Sequence, residues 1–257
     1  MFDSGVGGLS VLDALRRRLP SASLLYVGDA AFAPYGERAP DQVVARCDRI
    51  VAHLAGQGAR VIVIACNTAT VLGIEALRAR WPALSFVGVE PGVKPAARQT
   101  RTRRIAVMAT SATASSARLR HLIDTFAVGI HVHVQACPDL ASAIEGGAHE
   151  GHELDAVLSP FCAEMRAANV DTVVLGCTHY AFVARTIQRL MGDGVMLIDT
   201  AAAVADRIVS VCGTQVGDDG RRASTRVHST GDTTAAMLAI LGRCDELAAC
   251  RVETLVL

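Results

Sequence analysis

The run Val61-Ile62-Val63-Ile64-Ala65-Cys66-Asn67-Thr68-Ala69-Thr70 sets five apolar residues, four of them β-branched, ahead of a cysteine and two small polar side chains. An unbroken apolar run of this length reads as a strand buried on both faces, the pattern of a central strand in a parallel sheet. A helical run over residues 69–80 follows, so the stretch is a strand–turn–helix unit. In open α/β sheets ligands gather at the carboxyl ends of strands, which is where Cys66 stands. Packing alone also accounts for one cysteine in such a place, because free thiols are among the most buried side chains.

Similar units extend in both directions. Upstream, Met1-Phe2 is the stub of a strand that runs into Asp3-Ser4-Gly5-Val6-Gly7-Gly8 and a helix over 9–19. That glycine-rich turn offers bare N–H groups to an anion, or is simply a tight turn capped by Ser4 or Asp3. Residues 23–27 form a second strand ending in Gly28-Asp29, and Pro34-Tyr35-Gly36 marks the loop after it. A helix over 41–56, with Asp41 as its cap, leads into the strand at 61–65. Downstream, residues 84–89 form a fourth strand.

From residue 105 a second series begins. Strands are expected at 105–109, 131–136, 172–175 and 195–198, with helices opening near Ser116 and covering 139–145, 153–168 and 201–211. A polar break at 213–222 precedes a strand at 226–229, a helix at 233–241 and a strand at 252–257. The two series share a layout. Ala65-Cys66-Asn67-Thr68 in the first corresponds to Gly176-Cys177-Thr178-His179 in the second, at similar distances from the start of each series. This weak internal repeat implies two similar α/β halves, each a mainly parallel sheet flanked by helices. The expected domains are 1–93 plus 206–257, and 94–205. If the halves face each other, the two thiols approach one cleft from opposite sides.

Composition narrows the function. The 257 residues are 51% hydrophobic and 19% charged, with a mean hydropathy of +0.34, which excludes a disordered chain. Zero net charge leaves no basic field for a nucleic-acid backbone, and the cluster Arg98, Arg101, Arg103, Arg104 reads as a solvated connection. No apolar run reaches the roughly 20 residues of a membrane-spanning helix, so neither nucleic acid nor membrane is an expected partner. The eight cysteines show no CxxC pair and no metal-ligand spacing with histidine. They read as reduced cytosolic thiols, with no metal site and a cytoplasmic location. Two thiols at matching strand ends suit a reaction in which one base removes a proton and the other returns it from the opposite face. The single lysine, Lys94, lies in no pyridoxal-phosphate context, so the chemistry is expected to need no cofactor. Stabilisation of the carbanion would then fall to donors such as Ser4, Asn67, Thr68 and Thr178.

Taken together, the segments 2–8, Gly28-Asp29 with Pro34-Tyr35-Gly36, 65–70, 175–180 and Ser229-Thr230-Gly231-Asp232 resemble the glutamate racemases of the cofactor-independent aspartate/glutamate racemase superfamily. The resemblance implies two α/β domains with the active site between them, and interconversion of L- and D-glutamate for peptidoglycan synthesis. It makes Cys66 the base for D-glutamate, assisted by Asp3, and Cys177 the base for L-glutamate, assisted by His179. Asp29 and Glu145 fall where the family has supporting acids. Asp3-Ser4, Tyr35-Gly36, Asn67-Thr68 and Thr178-His179 match its substrate-binding pairs, with Thr110 and Thr113 as further additions. A cell-wall nucleotide precursor is an implied activator, and a homodimer is the expected assembly. Without the resemblance, Asp3 reads as a cap, His179 as a core histidine, and Asp29 and Glu145 as surface carboxylates.

Three departures from the family pattern stand out. The chain starts two residues before Asp3, where the family has most of a strand, so a preceding segment is expected. Ala181 replaces a usual proline, and Leu119 a usual aromatic. The rival within the superfamily is an aspartate racemase, whose second motif carries an acid where this chain has His179. A non-catalytic gyrase-binding role and a thiol hydrolase are the readings from other classes.

Overall fold

The computed structural model describes residues 1–213, 223–232 and 235–257. The expected break at 213–222, apart from Gly213, and the start of the helix expected at 233–241 lie outside them. The chain divides into two compact units, Met1–Val89 with Ala201–Leu257, and Glu90–Thr200. The borders therefore fall at 89/90 and 200/201, where the expected borders of 93/94 and 205/206 would cut through two helices.

The first unit opens with β1 (Phe2–Asp3), α1 (Leu9–Arg18), β2 (Leu24–Gly28), two short 3-10 turns at Ala30–Phe32 and Tyr35–Glu37, and α2 (Pro40–Gly56). It continues through β3 (Val61–Ile64), α3 (Asn67–Arg80) and β4 (Ser85–Gly88). The second unit holds α4 (Val93–Gln99), β5 (Arg104–Ala109), α5 (Ser111–Ala114), α6 (Ala117–Phe126), β6 (His131–Ala136), α7 (Leu140–Glu145) and α8 (His152–Ala167). After these come β7 (Thr172–Leu175), a 3-10 segment at Thr178–Val183, α9 (Ala184–Met191) and β8 (Met196–Ile198). The chain then returns to the first unit with α10 (Ala201–Cys212), β9 (Thr225–Ser229), α11 (Ala235–Gly242) and β10 (Val252–Thr254).

Both sheets are parallel at every described pairing. The first runs β10-β9-β2-β1-β3-β4 and the second β6-β5-β7-β8. The last four positions of the first sheet thus repeat the order of the second, so the repeat seen in the sequence is a repeat of topology. In each unit the strand order reverses direction beside the first strand of the series, at β1/β3 and at β5/β7. Such a reversal splays the crossover connections to opposite sides and opens a crevice at the carboxyl ends of those two strands. Asp3 ends β1 and Cys66 follows β3, while Thr110 and Cys177 follow β5 and β7.

β1 is short but central. Phe2 pairs with Val27 on one side and Ile64 on the other, and its side chain is fully buried with Ile62, Ile64 and Ile50 in one apolar cluster. Full burial of each such side chain stabilises the unit by about 1.5–3 kcal/mol. A second cluster, built on Ile105, Val107, Leu119 and Val174, fills the other unit.

Local chemistry corrects three expectations. Asp41 does not cap α2; Ala39 does, with Pro40 as the first helical residue, where its missing N–H costs nothing. Neither Asp3 nor Ser4 caps α1, whose cap is Gly8 with no side-chain bond. Instead Asp3 Oδ1 accepts from Gly5 N at 3.0 Å, closing its own turn. The expected connection before β5 contains a helix, α4, which buries Val93 and Ala96 and carries Arg98 in its last turn. Arg101 and Arg103 are exposed beyond it.

Candidate active site

In the first unit, the site residues descend from two strand ends and one loop. Cys66 is the cap of α3: it is 6% exposed, and its Sγ accepts from Ala69 N at 3.4 Å. The partial positive charge of a helix N-terminus stabilises an anion placed there, by about 0.3–1 kcal/mol for an exposed group and up to roughly 2 when partly buried. Cys66 Sγ lies 3.7 Å from Ser4 Oγ, which in turn donates to Asp3 Oδ1 at 3.4 Å. A thiol, a hydroxyl and a buried carboxylate therefore form one hydrogen-bonded row, able to pass a proton toward Asp3. Asn67 and Thr68, both nearly buried, open α3 beside the thiol, and Asn67 Nδ2 donates to Val89 O at 3.4 Å.

Space around this row is tight. A Cβ at Gly8 would lie 2.8 Å from both Ala65 Cβ and Asp3 Cβ, so α1 approaches β1 and β3 as closely as it does only because residue 8 has no side chain. Cys47 packs in the cluster beneath Cys66, and burial, with the nearby Cys66 and Asp29 adding to it, pushes its thiol well up. It stays protonated.

Asp29 and Tyr35 are in the loop after β2, and their side chains turn inward. Asp29 is fully buried and bound by Arg46, whose Nε reaches both carboxylate oxygens at 3.1 and 2.9 Å and whose Nη2 reaches Oδ1 at 2.6 Å. Tyr35 donates its hydroxyl to Asp29 Oδ2 at 2.7 Å, and burial, helped by the charge of Asp29 and the hydrogen bond to it, drives the phenol far above its ordinary range. The Tyr35 ring belongs to the apolar cluster, which leaves the backbone of Tyr35-Gly36 as the part able to meet a substrate.

The second unit builds its thiol differently. Cys177 follows β7 and Gly176, where a Cβ would fall 2.6 Å from Met108 O. It leads into a 3-10 segment and makes no cap bond of its own. Its Sγ lies 3.6 Å from His179 Nδ1, and His179 Nε2 lies 2.6 Å from Glu145 Oε1 at the end of α7. His179 is 3% exposed. Burial pushes the imidazole down, but the hydrogen bonds to Cys177 and Glu145 outweigh it and hold His179 well above its ordinary value. The imidazolium is therefore favoured, with a thiol sulfur on one side and a carboxylate on the other. Tyr180, fully buried, donates to Cys137 O at 3.4 Å. Thr110 caps α5 through Thr113 N, and the two hydroxyls are 3.2 Å apart. Thr178 begins the 3-10 segment beside Cys177 and is buried.

Within the first unit the structure thus brings Asp3, Ser4, Cys66, Asn67 and Thr68 to adjacent strand ends, and within the second Glu145, Cys177 and His179. Arg46 and Thr230, which donates to Asp29 Oδ1 at 2.7 Å, have no sequence signal for their link to Asp29. Gly8 and Gly176 matter through close approach, which the sequence shows only as glycine before or near a motif. Among the described residues no cluster of His, Cys, Asp or Glu is able to hold a metal ion.

A family model described as Asp/Glu/Hydantoin racemase matches residues 9–208. The chain is 46% identical over 205 residues to the glutamate racemase of Stutzerimonas stutzeri strain A1501, spanning 80% of this chain and 78% of that protein. It is 47% identical over 211 residues to the glutamate racemase of Pseudomonas aeruginosa strain UCBPP-PA14, spanning 82% and 80%. Among solved structures, the Escherichia coli glutamate racemase in complex with L-glutamate and the activator UDP-MurNAc-ala superimposes with a TM-score of 0.86 at 30% identity, covering 99% of this chain and 96% of that one.

Proposed function

The chain belongs to the Asp/Glu/Hydantoin racemase family, and from that premise we propose that it interconverts L- and D-glutamate by passing the Cα proton between two thiols. Cys66 removes the proton from D-glutamate and Cys177 from L-glutamate, and each thiol protonates the opposite face. The observation that carries this reading is the pairing of each strand-end thiol with its own acid, Asp3 through Ser4 for Cys66 and Glu145 through His179 for Cys177.

The energetics suit a cofactor-free route. Forming a thiolate near pH 7 from an ordinary thiol costs about 2 kcal/mol. For Cys66 the α3 N-terminus offsets part of that cost; beside Cys177, His179 Nδ1 at 3.6 Å is the group placed to exchange a proton with the sulfur. The carbanion beside the substrate carboxylate is the harder species. Fixed donors stabilise it, from Ser4, Asn67, Thr68 and Thr178 and from the backbone of Tyr35-Gly36, because they are oriented before charge develops. Thr110 and Thr113 extend that donor set.

The product D-glutamate serves peptidoglycan synthesis. A cell-wall nucleotide precursor is the proposed activator, supported by the UDP-MurNAc-ala in the Escherichia coli complex. The proposed assembly is a homodimer, and the proposed location is the cytoplasm. Among the described residues no helix is long and apolar enough to cross a membrane. A preference for glutamate over aspartate is supported by His179, which stands where an aspartate racemase is expected to carry an acid.

The test is inversion of L-glutamate and L-aspartate followed by circular dichroism, with no added cofactor, alongside deuterium uptake at Cα in heavy water. Inversion of glutamate in preference to aspartate is expected. Cys66→Ser and Cys177→Ser should each lose about 10²–10⁴ in rate, the usual contribution of a positioned acid–base group. Wild-type turnover in both variants would remove the thiols from the mechanism.

A further inference from the structure

The segment Ser229-Thr230-Gly231-Asp232 has no role in the proton transfers, and its contacts are specific. It leaves the carboxyl end of β9 and hooks over the turn that follows β2. Thr230 N donates to Gly28 O at 3.0 Å, and Thr230 Oγ1 donates to Asp29 Oδ1 at 2.7 Å while accepting from Ala31 N at 3.2 Å. Gly231 rests on the same turn so closely that a Cβ there would lie 3.1 Å from Ala31 N and 3.3 Å from Ala30 Cβ. Gly231 N is in turn held by Ser229 Oγ at 3.3 Å.

Asp29 is the knot of this arrangement. Its two oxygens take Arg46 from α2, Tyr35 from the loop and Thr230 from the C-terminal segment. An ionised carboxylate offers about four acceptor positions, and these contacts use them, so Asp29 has no lone pair to spare for a substrate proton. Arg46 and Arg38 also bracket Phe32, with guanidinium carbons 5.8 and 4.7 Å from the ring centre, and Phe32 meets Tyr35 edge-on at 5.9 Å. The polar anchors of Tyr35 and of the Thr230 hydroxyl on the loop between β2 and α2 thus meet at Asp29, which Arg46 binds in turn.

We infer that the 229–232 segment is a latch on the loop at residues 29–38, with Thr230 and Arg46 acting as positioning residues that fix the Tyr35-Gly36 backbone through Asp29. Asp29 is then an anchor and not an acid–base group. Its place in the reaction rests on the reading that Tyr35-Gly36 meets glutamate. Because the latch comes from the far end of the chain, loss of one hydroxyl more than 190 residues from the loop in sequence alters substrate binding without touching either thiol.

Two measurements test the latch in the full-length protein. Thr230→Val keeps the shape and removes the donor; it should speed amide exchange of Ala31 and Phe32 about tenfold and raise KM for both enantiomers about tenfold, a range set by one hydrogen bond to a charged acceptor. The kcat should stay within about threefold and both limbs of its pH profile should remain. Thr230→Ser should restore exchange and KM, and Gly231→Ala should act like Thr230→Val with the hydroxyl present. Unchanged exchange in Thr230→Val overturns the latch, as does a fall in melting temperature with KM unmoved. Loss of one pH limb in Asp29→Asn overturns the anchor role. A wild-type protein without glutamate turnover would refute the proposed function, while the exchange data would still judge the latch.

Discussion

Glu145→Gln isolates the electrostatic half of the second thiol's support. It preserves the shape of the side chain at the end of α7 and removes the charge 2.6 Å from His179 Nε2. A hydrogen bond to a charged group contributes about 1.5–3 kcal/mol and a neutral one about 1, so the variant should lose about 1–2 kcal/mol of preference for the imidazolium, roughly 5–30-fold in its protonation constant. The sign for stability follows from the direction of the shift. His179 binds its proton more tightly folded than unfolded, so the stability it contributes is fully present below its unfolded value, about 6.5. That contribution is lost as pH rises through the folded value. Urea unfolding should therefore show the variant weaker near pH 6, with the gap closing toward alkaline pH. Imidazole NMR should show His179 releasing its proton at lower pH than in the wild type.

Catalysis gives a second readout with a constraint built in. The two glutamates are mirror images, so the equilibrium constant is one and kcat/KM must be equal from either side. A lesion beside Cys177 therefore appears as unequal changes in kcat and in the Cα-deuterium isotope effect, larger when L-glutamate is the substrate. An unchanged His179 titration, or an isotope effect altered equally for both enantiomers, would refute the assignment of Glu145 to the second thiol.

Other predictions rest on packing and on a carboxylate away from the site. Gly8→Ala drives a Cβ to 2.8 Å from Asp3 Cβ and Ala65 Cβ, and Gly176→Ala drives one to 2.6 Å from Met108 O. Overpacking against fixed atoms costs about 1–3 kcal/mol, so both variants should melt earlier and lose turnover beyond that loss of stability; full activity in either would mean the strand ends are free to shift. Asp171 accepts from Thr100 Oγ1 at 2.6 Å, from the Arg101 and Thr102 amides at 2.7 Å each, and from Thr172 Oγ1 at 2.9 Å. Burial raises its carboxyl, but those four donors outweigh it and hold it far below the usual range. Its stabilisation is present above the unfolded value, about 3.9, and is lost as pH falls through the folded one. Asp171→Asn should cost about 1.5–3 kcal/mol at pH 7, with the difference from wild type shrinking in acid; an equal difference at pH 7 and near pH 3 would show that charge is not the cause.

The parts of the site that the sequence displays are those whose causes are local. β3 and β7 are buried along almost all of their length, so each appears as a mainly apolar run with a cysteine just beyond its end, and the similar distance of each from the start of its series exposes the repeat. α4 escaped notice because it is short and buries only Val93 and Ala96, too little for a helical period to emerge around Pro95 and Arg98. Arg46 and Thr230 escaped for a different reason: they meet Asp29 across 17 and 201 residues of chain, and no periodicity records a contact made by folding. The same limit hides a difference between the halves. The motifs Ala65-Cys66-Asn67-Thr68 and Gly176-Cys177-Thr178-His179 look equivalent, yet Cys66 caps a helix of 14 residues while Cys177 turns into a 3-10 segment and takes a histidine instead. A backbone dipole does not titrate, whereas an imidazolium does. The two thiols are therefore supported by devices with different pH responses, and the second should weaken first as pH rises through the His179 value. In the proposed mechanism every cycle uses both thiols, one as base and one as acid. The alkaline side of its pH profile should then report the second unit, and Glu145→Gln should move that limb while leaving the acid limb in place.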